Sequence, residues 1–341
     1  MNDTITIIIP TYNKVDYISQ TIESALNQTY SNYEILIVDD ASSDGTDLVI
    51  KKYLSDKVRY IKHEKNLGPS ITYNDGIRMA KSEYVTILDN DDILLPYHLD
   101  LVIDEFKKNK CAEAVFTKLK VIDEHNRDLK KTISPPFNDK YQLLNHLFYQ
   151  GNDIPSPGVS FKKSVFEKIP AFNPSLILMH DYDLNVRLLM YAETVNISKP
   201  TVLYRRFSDN KNLSSDNNWY KVCHRAESKV VLDNYLTMDY GDMVKVFPYL
   251  KPYKEEQCKF QFLIETCKLS NRQLSDWAFE KLIHYLNEHQ TFFADNDFHF
   301  QYKDYINLYK ACTIGTVGSA HKQRLYNAVK NIGKLLFGMK E

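Results

Sequence analysis

A dense group of carboxylates follows a short apolar segment in the first third of the chain. The stretch LDNDDILLP occupies residues 88–96, and it places Asp89, Asp91 and Asp92 directly after a segment that is typical of a buried strand. Three carboxylates at such a strand end repel one another unless a positive group joins them. Mg²⁺ and Mn²⁺ take oxygen ligands, and Mg²⁺ often binds one or two carboxylates together with substrate phosphates. The motif therefore indicates a metal-bridged diphosphate, and its alternative is a solvated Asp-rich turn that caps the next helix.

Strand and helix patterns alternate before and around this motif. Runs typical of buried strands occur at 4–10, 34–40, 58–61 and 84–88. Apolar residues at helical spacing fall between the strands and again after Pro96. This alternation predicts an α/β fold with a doubly wound, mostly parallel sheet.

Polar residues follow three of the four predicted strands. They are Thr11, Tyr12 and Asn13 after the first strand, Asp39 and Asp40 after the second, and Asp89, Asn90, Asp91 and Asp92 after the fourth. Ligands of open parallel sheets bind beyond the carboxyl ends of the strands. We therefore expect the binding site at this edge of the sheet.

Composition narrows the classes of partner. The 341 residues carry a net charge of −1, so no general attraction to nucleic acid is expected. Five cysteines without C-x-x-C spacing are typical of free thiols in a reducing cytosol. The N-terminal MNDTITIIIP lacks a basic region and reads as a strand, not as a signal peptide. The sequence contains no run of 18 apolar residues, so it predicts no membrane-spanning helix.

Four segments occur in an order that is specific to one family. They are IIIPTYNK at 7–14, QTY followed by YEILIVDDASSDGT at 28–46, KNLGPSITYNDGIRMAKSEYVTILDNDD at 65–92, and HDYDLNVRL at 180–188. In these segments the chain resembles the glycosyltransferase family 2 enzymes, which have the nucleotide-sugar-binding GT-A fold. The resemblance covers roughly residues 4–210.

The resemblance implies roles for the residues that match the family motifs. Nucleotide-sugar binding falls to Pro10, Thr11, Tyr12, Asp40, Asn66, Asn74, Asp89, Asn90 and Arg205, and binding of Mn²⁺ or Mg²⁺ to Asp91. Asp40 corresponds to the acid that hydrogen-bonds the base, and it would favour uridine because uracil carries an N3 proton. The alternative for Asp39 and Asp40 is helix N-capping. The family often has Arg where this chain has Tyr73, so no cation is assumed there.

HDYDLNVRL supplies the candidate general base, because sugar transfer requires the acceptor hydroxyl to lose a proton. Asp183 and Arg187 stand four apart and predict an ordinary helix ion pair. For Asp181 the residues alone leave N-capping and catalysis equally open. The resemblance assigns the base to Asp181, with His180 replacing the first acid of the family pair. It also implies a single in-line displacement that inverts the anomeric centre.

The resemblance also suggests how the chain is divided. Residues 1–215 would form the GT-A domain, with a nucleotide-sugar half at 1–110 and an acceptor half at 111–215. Residues 216–341 would form a helical region that shapes the acceptor site, mediates assembly or contacts a membrane surface. The tail 321–341 is basic with apolar residues at helical spacing, so it predicts either a helix on an anionic membrane or one docked on the domain.

These observations predict a cytoplasmic, metal-dependent, inverting glycosyltransferase, with possible peripheral contact at the inner face of the cell membrane. Its donor would be a UDP-sugar, its acceptor a glycan or lipid-linked oligosaccharide, and its transferred group a hexose or N-acetylhexosamine. A sugar nucleotidyltransferase is disfavoured because PTYNK lacks the Gly-rich loop of that class. A non-catalytic nucleotide- or carbohydrate-binding module remains the second alternative, and a glycosidase would not need the metal motif.

Overall fold

A nine-stranded sheet forms the centre of the first part of the molecule. The computed structural model describes residues 3–208, 218–288, 300 and 302–313, so the predicted tail helix at 321–341 lies outside the described residues. The strands are β1 (Ile5–Thr11), β2 (Tyr33–Asp39), β3 (Val58–Lys62), β4 (Tyr84–Ile87), β5 (Ile93–Leu94), β6 (Ala114–Asp123), β7 (Asp128–Ile133), β8 (Ser160–Lys162) and β9 (Thr194–Arg206).

The order of the strands combines a parallel half with a mixed half. The sheet runs β3, β2, β1, β4, β8, β6, β9 and β5, and β7 pairs with β6 outside this path. Strands β3, β2, β1 and β4 are mutually parallel, as the sequence predicts, and β6 and β9 are also parallel. Strand β8 joins the two halves through antiparallel pairs with β4 and β6.

Continuous apolar runs explain the central strands. Every residue of β1 is buried, and so is nearly every residue of β2, because parallel strands in α/β sheets are covered on both faces. Pro10 is tolerated inside β1 because the pairing with β4 ends at Ile8, before the proline is reached. Both strands therefore end at the same edge, where their polar residues begin.

Helices flank the sheet and continue into the C-terminal part. They are α1 (Ile18–Leu26), α2 (Thr46–Ile50), α3 (Pro69–Met79), α4 (His98–Lys108), α5 (Lys140–Gln150), α6 (His180–Tyr191), α7 (Asn218–Asp233), α8 (Tyr240–Val246), α9 (Glu255–Cys267), α10 (Arg272–Glu288) and α11 (Tyr302–Thr313). Short 3₁₀ turns lie at Lys51–Tyr53, Lys163–Glu167, Asn234–Thr237 and Pro248–Leu250.

The chain divides into two compact units, residues 1–235 and 236–341. The first unit contains the sheet and extends through α7. The second is helical in its described part, as predicted, and its core contains Trp277, which is fully buried against Phe262. The functional division at residue 215 stays a prediction. In the described part of the chain, no helix has the length and apolarity needed to cross a membrane.

Helix α3 lies very close to β1 at one glycine. A Cβ atom built on Gly76 would stand 2.4 Å from Cγ2 of Ile8, well inside van der Waals contact. The absence of a side chain at Gly76 therefore allows the helix to approach the strand whose end carries the polar loop.

Substituting Gly76→Ala should lower the stability of the first unit. Overpacking of a filled core typically costs about 1–3 kcal/mol, which exceeds the gain of about 1 kcal/mol from replacing a helical glycine. The measurement is the unfolding midpoint followed by circular dichroism. Gly241→Ala in α8 is the matched control, because its Cβ would meet its nearest neighbour at 3.4 Å. Equal midpoints for the two variants would contradict the close packing.

Candidate functional site

The first two strands end in a loop that is held by backbone and side-chain hydrogen bonds. The amide of Asp40 donates to the carbonyl of Thr11 at 2.8 Å. Asn13 adopts a left-handed φ of 50°, which asparagine tolerates, and its side chain accepts a bond from the amide of Ser43. Thr11 is buried, whereas Tyr12 is 45% exposed. The structure thus presents the Tyr12 ring to solvent just beyond β1.

Asp40 ties this loop to the segment that precedes α3. Its carboxylate accepts hydrogen bonds from the amides of Leu67 at 2.7 Å and Gly68 at 2.8 Å, and it contacts Nδ1 of His63 at 2.8 Å. Asn66 lies next to these amides, on the exposed side of the loop. Asp40 therefore sets the position of the loop that carries Asn66, in addition to any contact with a base.

Asp39 has a different set of partners on the inside of the fold. It accepts bonds from the Tyr60 hydroxyl at 2.7 Å and from the amide of Ser42 at 2.8 Å. The N-capping position of α2 is occupied by Gly45, so neither Asp39 nor Asp40 caps that helix. The capping alternative for this pair is therefore wrong.

Helix α3 contributes two neighbouring side chains with separate roles. The amide of Asn74 exchanges two hydrogen bonds, of 2.8 and 2.9 Å, with the backbone of Phe172. Both polar groups of Asn74 are thus engaged within the fold, and its contact with a nucleotide stays a prediction. Tyr73 stacks on the Phe172 ring and donates its hydroxyl proton to Asp89 at 2.6 Å. A neutral donor stands where the family often has a cation.

The acidic motif after β4 sends its side chains in different directions. Asp91 forms an ion pair with Lys14 at 2.5 Å, and the amide of Asn90 donates to the Thr11 hydroxyl at 3.3 Å. Asp92 is fully buried, and one of its oxygens accepts the backbone amide of Arg205. Burial and the charges of Asp91 and Asp89 raise the pKa of Asp92 well above its ordinary value. Asp91 is the motif carboxylate that already holds a cation.

Arg205 occupies a different position from the one expected. Its side chain is 1% exposed, and Nε donates to the carbonyl of Asp91 at 2.7 Å. One of its terminal nitrogens donates to the side chain of Asn126 at 2.6 Å and the other to that of Gln20 at 3.2 Å. The buried guanidinium therefore holds the backbone of the acidic motif through the carbonyl of Asp91. A direct contact with the diphosphate stays a prediction that would require this network to open.

The start of α6 brings the candidate base to the same region. Asp181 is half-buried, and its Oδ2 accepts a hydrogen bond from the amide of Asn152 at 3.0 Å. Burial raises the pKa of Asp181 above its ordinary value. Asp183 and Arg187 form the predicted helix ion pair, with contacts of 2.9 and 2.5 Å. His180 is buried near the rings of Tyr73 and Phe172.

Asp89 lies close enough to Asp91 and Asp181 for their charges to act on its carboxyl group. The pKa of Asp89 is raised to about 7, first by burial and then by the charges of Asp91 and Asp181. The hydrogen bond from Tyr73 and the charge of Lys14 oppose this rise. Residues from β1, α3, the end of β4 and the start of α6 therefore form one acidic site at the carboxyl edge of the sheet.

A family model matches the part of the chain that contains most of this site. Residues 6–170 match the family described as Glycosyl transferase family 2. These residues, just under half of the chain, are thus similar to glycosyltransferase family 2. The resemblance found in the sequence motifs is confirmed.

One of the proteins similar to this chain is a named synthase. Chondroitin synthase of Escherichia coli is 28% identical over 239 residues, which are 68% of this chain and 34% of that protein. The chain thus spans about a third of the length of this relative.

Solved structures show the same fold. S. aureus TarS in complex with UDP-GlcNAc superimposes with a TM-score of 0.59 at 16% identity, over 94% of this chain and 92% of that one. The mannosyltransferase PcManGT from Pyrobaculum calidifontis, in complex with GDP-Man and Mn²⁺, gives a TM-score of 0.50 at 12% identity, over 98% and 88%. These likenesses confirm the predicted GT-A-like α/β fold with C-terminal helices.

The acidic site offers one carboxylate, that of Asp91, that a divalent ion could share with substrate phosphates. Among the described residues, no three His, Cys, Asp or Glu side chains are grouped as a metal-ligand set. Mg²⁺ needs only one or two protein carboxylates when phosphate oxygens complete its shell. The Asp91 carboxylate meets this condition, since it is 16% exposed and is already paired with a cation, Lys14. A metal ligated by Asp91 would have to displace that ammonium group.

Several residues of the site were not identified from the sequence. Lys14 belongs to the IIIPTYNK motif. Its position just after the first predicted strand would have indicated a cation near the carboxylates at the same sheet edge. Tyr73 was noted only as a replacement for Arg. Asn152 lies in a loop without a recognisable pattern, and neither its position nor its partner has a signal in the sequence.

Asp89→Asn should change the pH dependence of stability. A native carboxyl with a pKa of about 7 holds a proton that the unfolded chain releases near its usual pKa of about 3.9. The contribution of Asp89 to stability is therefore complete below pH 4 and is lost as the pH rises to 7. The substituted asparagine keeps an acceptor for Tyr73, so the variant should gain on the order of 2 kcal/mol more, relative to wild type, at pH 8 than at pH 4.

Urea unfolding in EDTA across this pH range measures the difference. Asp16→Asn is the control for net charge, because it removes a charge from an exposed position shortly after β1. An effect of Asp89→Asn that is the same at both pH values would show that Asp89 is ionised throughout.

Proposed function

We propose that the chain is a glycosyltransferase that moves a sugar from a nucleoside-diphosphate donor to an acceptor hydroxyl. The observation that carries this proposal is the convergence of Asp89, Asp91 and Asp181 at one edge of the sheet, where burial and the charges of Asp91 and Asp181 raise the pKa of Asp89. A structural acidic turn would have no need for the third carboxylate, which arrives from a helix almost a hundred residues away.

The donor in this proposal is a UDP-sugar. Asp40 stands at the end of β2 with its carboxylate buried, and an acceptor at this point would receive the N3 proton of uracil. The exposed ring of Tyr12 is available to pack against the base. The similar fold of TarS, which binds UDP-GlcNAc, supports this choice, although GDP-Man in PcManGT shows that the fold also accepts guanosine.

A divalent ion, Mn²⁺ or Mg²⁺, is part of the proposal. Asp91 would hold the ion, and the bound ion would stabilise the negative charge of the departing diphosphate as a Lewis acid. Mn²⁺ in PcManGT supports such a requirement. Lys14, displaced from Asp91, would remain as a positive charge next to the diphosphate.

Asp181 acts as the general base. Its raised pKa makes the carboxylate a better proton acceptor than an exposed aspartate, and Asn152 holds one of its oxygens. The acceptor oxygen forms a bond to the anomeric carbon as the bond from that carbon to the diphosphate breaks. The proton passes to Asp181, the nucleoside diphosphate leaves with the electron pair, and the anomeric centre inverts.

The remaining details of the proposal concern the acceptor and the location. The transferred group is a hexose or N-acetylhexosamine, and the acceptor is a glycan or a lipid-linked oligosaccharide. The protein acts in the cytoplasm, and the basic tail 321–341 would contact the membrane surface where a lipid-linked acceptor lies. The competing candidate is a binding module without catalysis, which would share the donor site but would not need Asp181.

Thermal melting with nucleotides and metal tests the donor site. UDP with Mn²⁺ should raise the melting temperature of the wild type, since ligand at one hundred times its dissociation constant adds about 2.7 kcal/mol. UDP with EDTA should have a much smaller effect, and GDP, CDP and TDP should stabilise less. Asp91→Asn should remove the dependence on Mn²⁺.

Lys14→Met is the informative companion variant. It removes the ammonium that pairs with Asp91, so Mn²⁺ alone should bind several-fold more tightly, as measured by electron paramagnetic resonance of free Mn²⁺. Unchanged Mn²⁺ affinity in Lys14→Met would show that the ion does not bind at Asp91. A lack of stabilisation by any nucleotide in the wild type would contradict the donor site as a whole.

Asp181→Asn should separate catalysis from donor binding. Loss of a general base typically lowers turnover by about 10²–10⁴-fold, whereas UDP affinity should stay within twofold because Asp181 does not hold the nucleotide in this proposal. Turnover is measured as UDP release from UDP-sugars, and affinity by calorimetry. Asp153→Asn, at an exposed neighbouring position, is the control. Equal losses of turnover and UDP affinity would assign a structural role to Asp181.

A further inference from the structure

The helix that carries the candidate base has no side-chain cap from its N-cap residue, although Asp181 itself accepts a hydrogen bond from the amide of Tyr182 at 2.7 Å. Met179 occupies the N-cap position of α6 and offers no side-chain hydrogen bond. The amide groups at the start of a helix have no partner within the helix, and a buried amide without a partner is costly. The same cost applies to the buried amides of the segment that leads into α6 and ends at Met179, which need partners from another part of the chain.

Glu227 of helix α7 supplies this partner. Its carboxylate accepts hydrogen bonds from three consecutive amides, those of Ile177 at 3.0 Å, Leu178 at 2.8 Å and Met179 at 2.9 Å. Glu227 is only 8% exposed, so these bonds are shielded from water. Hydrogen bonds to a carboxylate are short and strong, and a negative charge is favoured at a helix N-terminus. One side chain thus holds the three residues that precede α6.

A second contact from the same region holds the first turn of α6. The side-chain amide of Asn234, in the 3₁₀ turn directly after α7, donates to Oδ1 of Asp183 at 2.9 Å. The other oxygen of Asp183 pairs with Arg187. Asp181 therefore lies between two anchored positions. Glu227 of α7 holds the amides that precede it, and Asn234 of the following turn holds Asp183.

We propose that Glu227 is a positioning residue for the general base. It places the carboxylate of Asp181 at the acidic site by fixing the backbone immediately before it. The proposal rests on the proposed function of Asp181. Helix α7 lies beyond the matched residues 6–170 and beyond the GT-A domain predicted at 1–215. A segment outside the family motifs would thereby take part in setting the catalytic geometry.

Glu227→Gln tests this role with little change in shape. Glutamine has one acceptor oxygen, and its NH₂ group cannot accept from an amide, so at least one of the three bonds is lost. A misplacement of about 1 Å at a catalytic group can reduce the rate by about 10²-fold. We expect kcat to fall at least tenfold, while the KM for the donor and the calorimetric affinity for UDP stay within twofold of wild type.

The assay measures UDP release from whichever of UDP-Glc, UDP-Gal, UDP-GlcNAc and UDP-GalNAc the wild type turns over fastest. Glu256→Gln removes the same charge from an exposed position in the first turn of α9, and it should leave kcat unchanged. A folded Glu227→Gln protein with kcat within twofold of wild type would overturn the proposal.

Asn234→Ala keeps the proposal testable if Glu227→Gln does not fold. It removes the second contact without altering Glu227, and it should lower kcat about three- to fivefold at unchanged UDP affinity. Retention of full kcat by this variant would overturn the role of the α7 region. Asp181→Asn distinguishes failure of the proposed function from failure of the positioning role. A fully active Asp181→Asn protein would show that Asp181 is not the general base, whatever the result for Glu227→Gln.

Hydrogen exchange provides a readout that does not need turnover. Glu227→Gln should accelerate exchange of the amides at 177–179 and leave the amides of β1 and β4 unchanged. Equal acceleration in all these elements would indicate general destabilisation and overturn a specific positioning role. Unchanged exchange at 177–179 would also overturn it.

Discussion

Mutual repulsion among carboxylates is the constraint on which the candidate site depends. Asp89, Asp91 and Asp92 follow β4 within a few positions, and Asp181 adds a further charge from α6. The fold offsets this repulsion with a different donor for each acid of the motif. Lys14 pairs with Asp91, Tyr73 donates to Asp89, and the Arg205 amide donates to Asp92. The elements that supply these donors are consequently held around the acidic motif.

The parts of this arrangement that follow from local pattern could be predicted. Strand and helix periodicity indicated that β1 to β4 are parallel, because a helix between two strands of one sheet returns the chain to the edge at which the first strand began. Four-residue spacing predicted the ion pair of Asp183 and Arg187, since residues four apart face each other on a helix. Motif order indicated the family and the edge of the sheet at which the acids lie.

Partners that are distant in sequence could not be predicted in the same way. Arg205 appears beside a polar loop in the sequence, yet its guanidinium is buried on carbonyl and amide oxygens from three other segments. Asn74 matches a nucleotide-binding position, yet its amide is paired with the backbone of Phe172. Neither contact follows from a fixed spacing in the sequence, because tertiary packing determines which polar groups meet. Glu227 is the clearest case, since it stands 49 residues from Leu178, whose amide it binds.

Two side chains from different helices bind the backbone of the loop at residues 170–172, which limits the sequence changes that this loop tolerates. Asn74 holds the backbone of Phe172, and Arg187 donates to the carbonyls of Pro170 and Ala171. A substitution in this loop must preserve the backbone path that both anchors require, so insertions there are disfavoured. Strand β7, by contrast, is an edge strand with four exposed residues in a row. Insertions and substitutions would therefore be tolerated more readily around β7 than at residues 170–172.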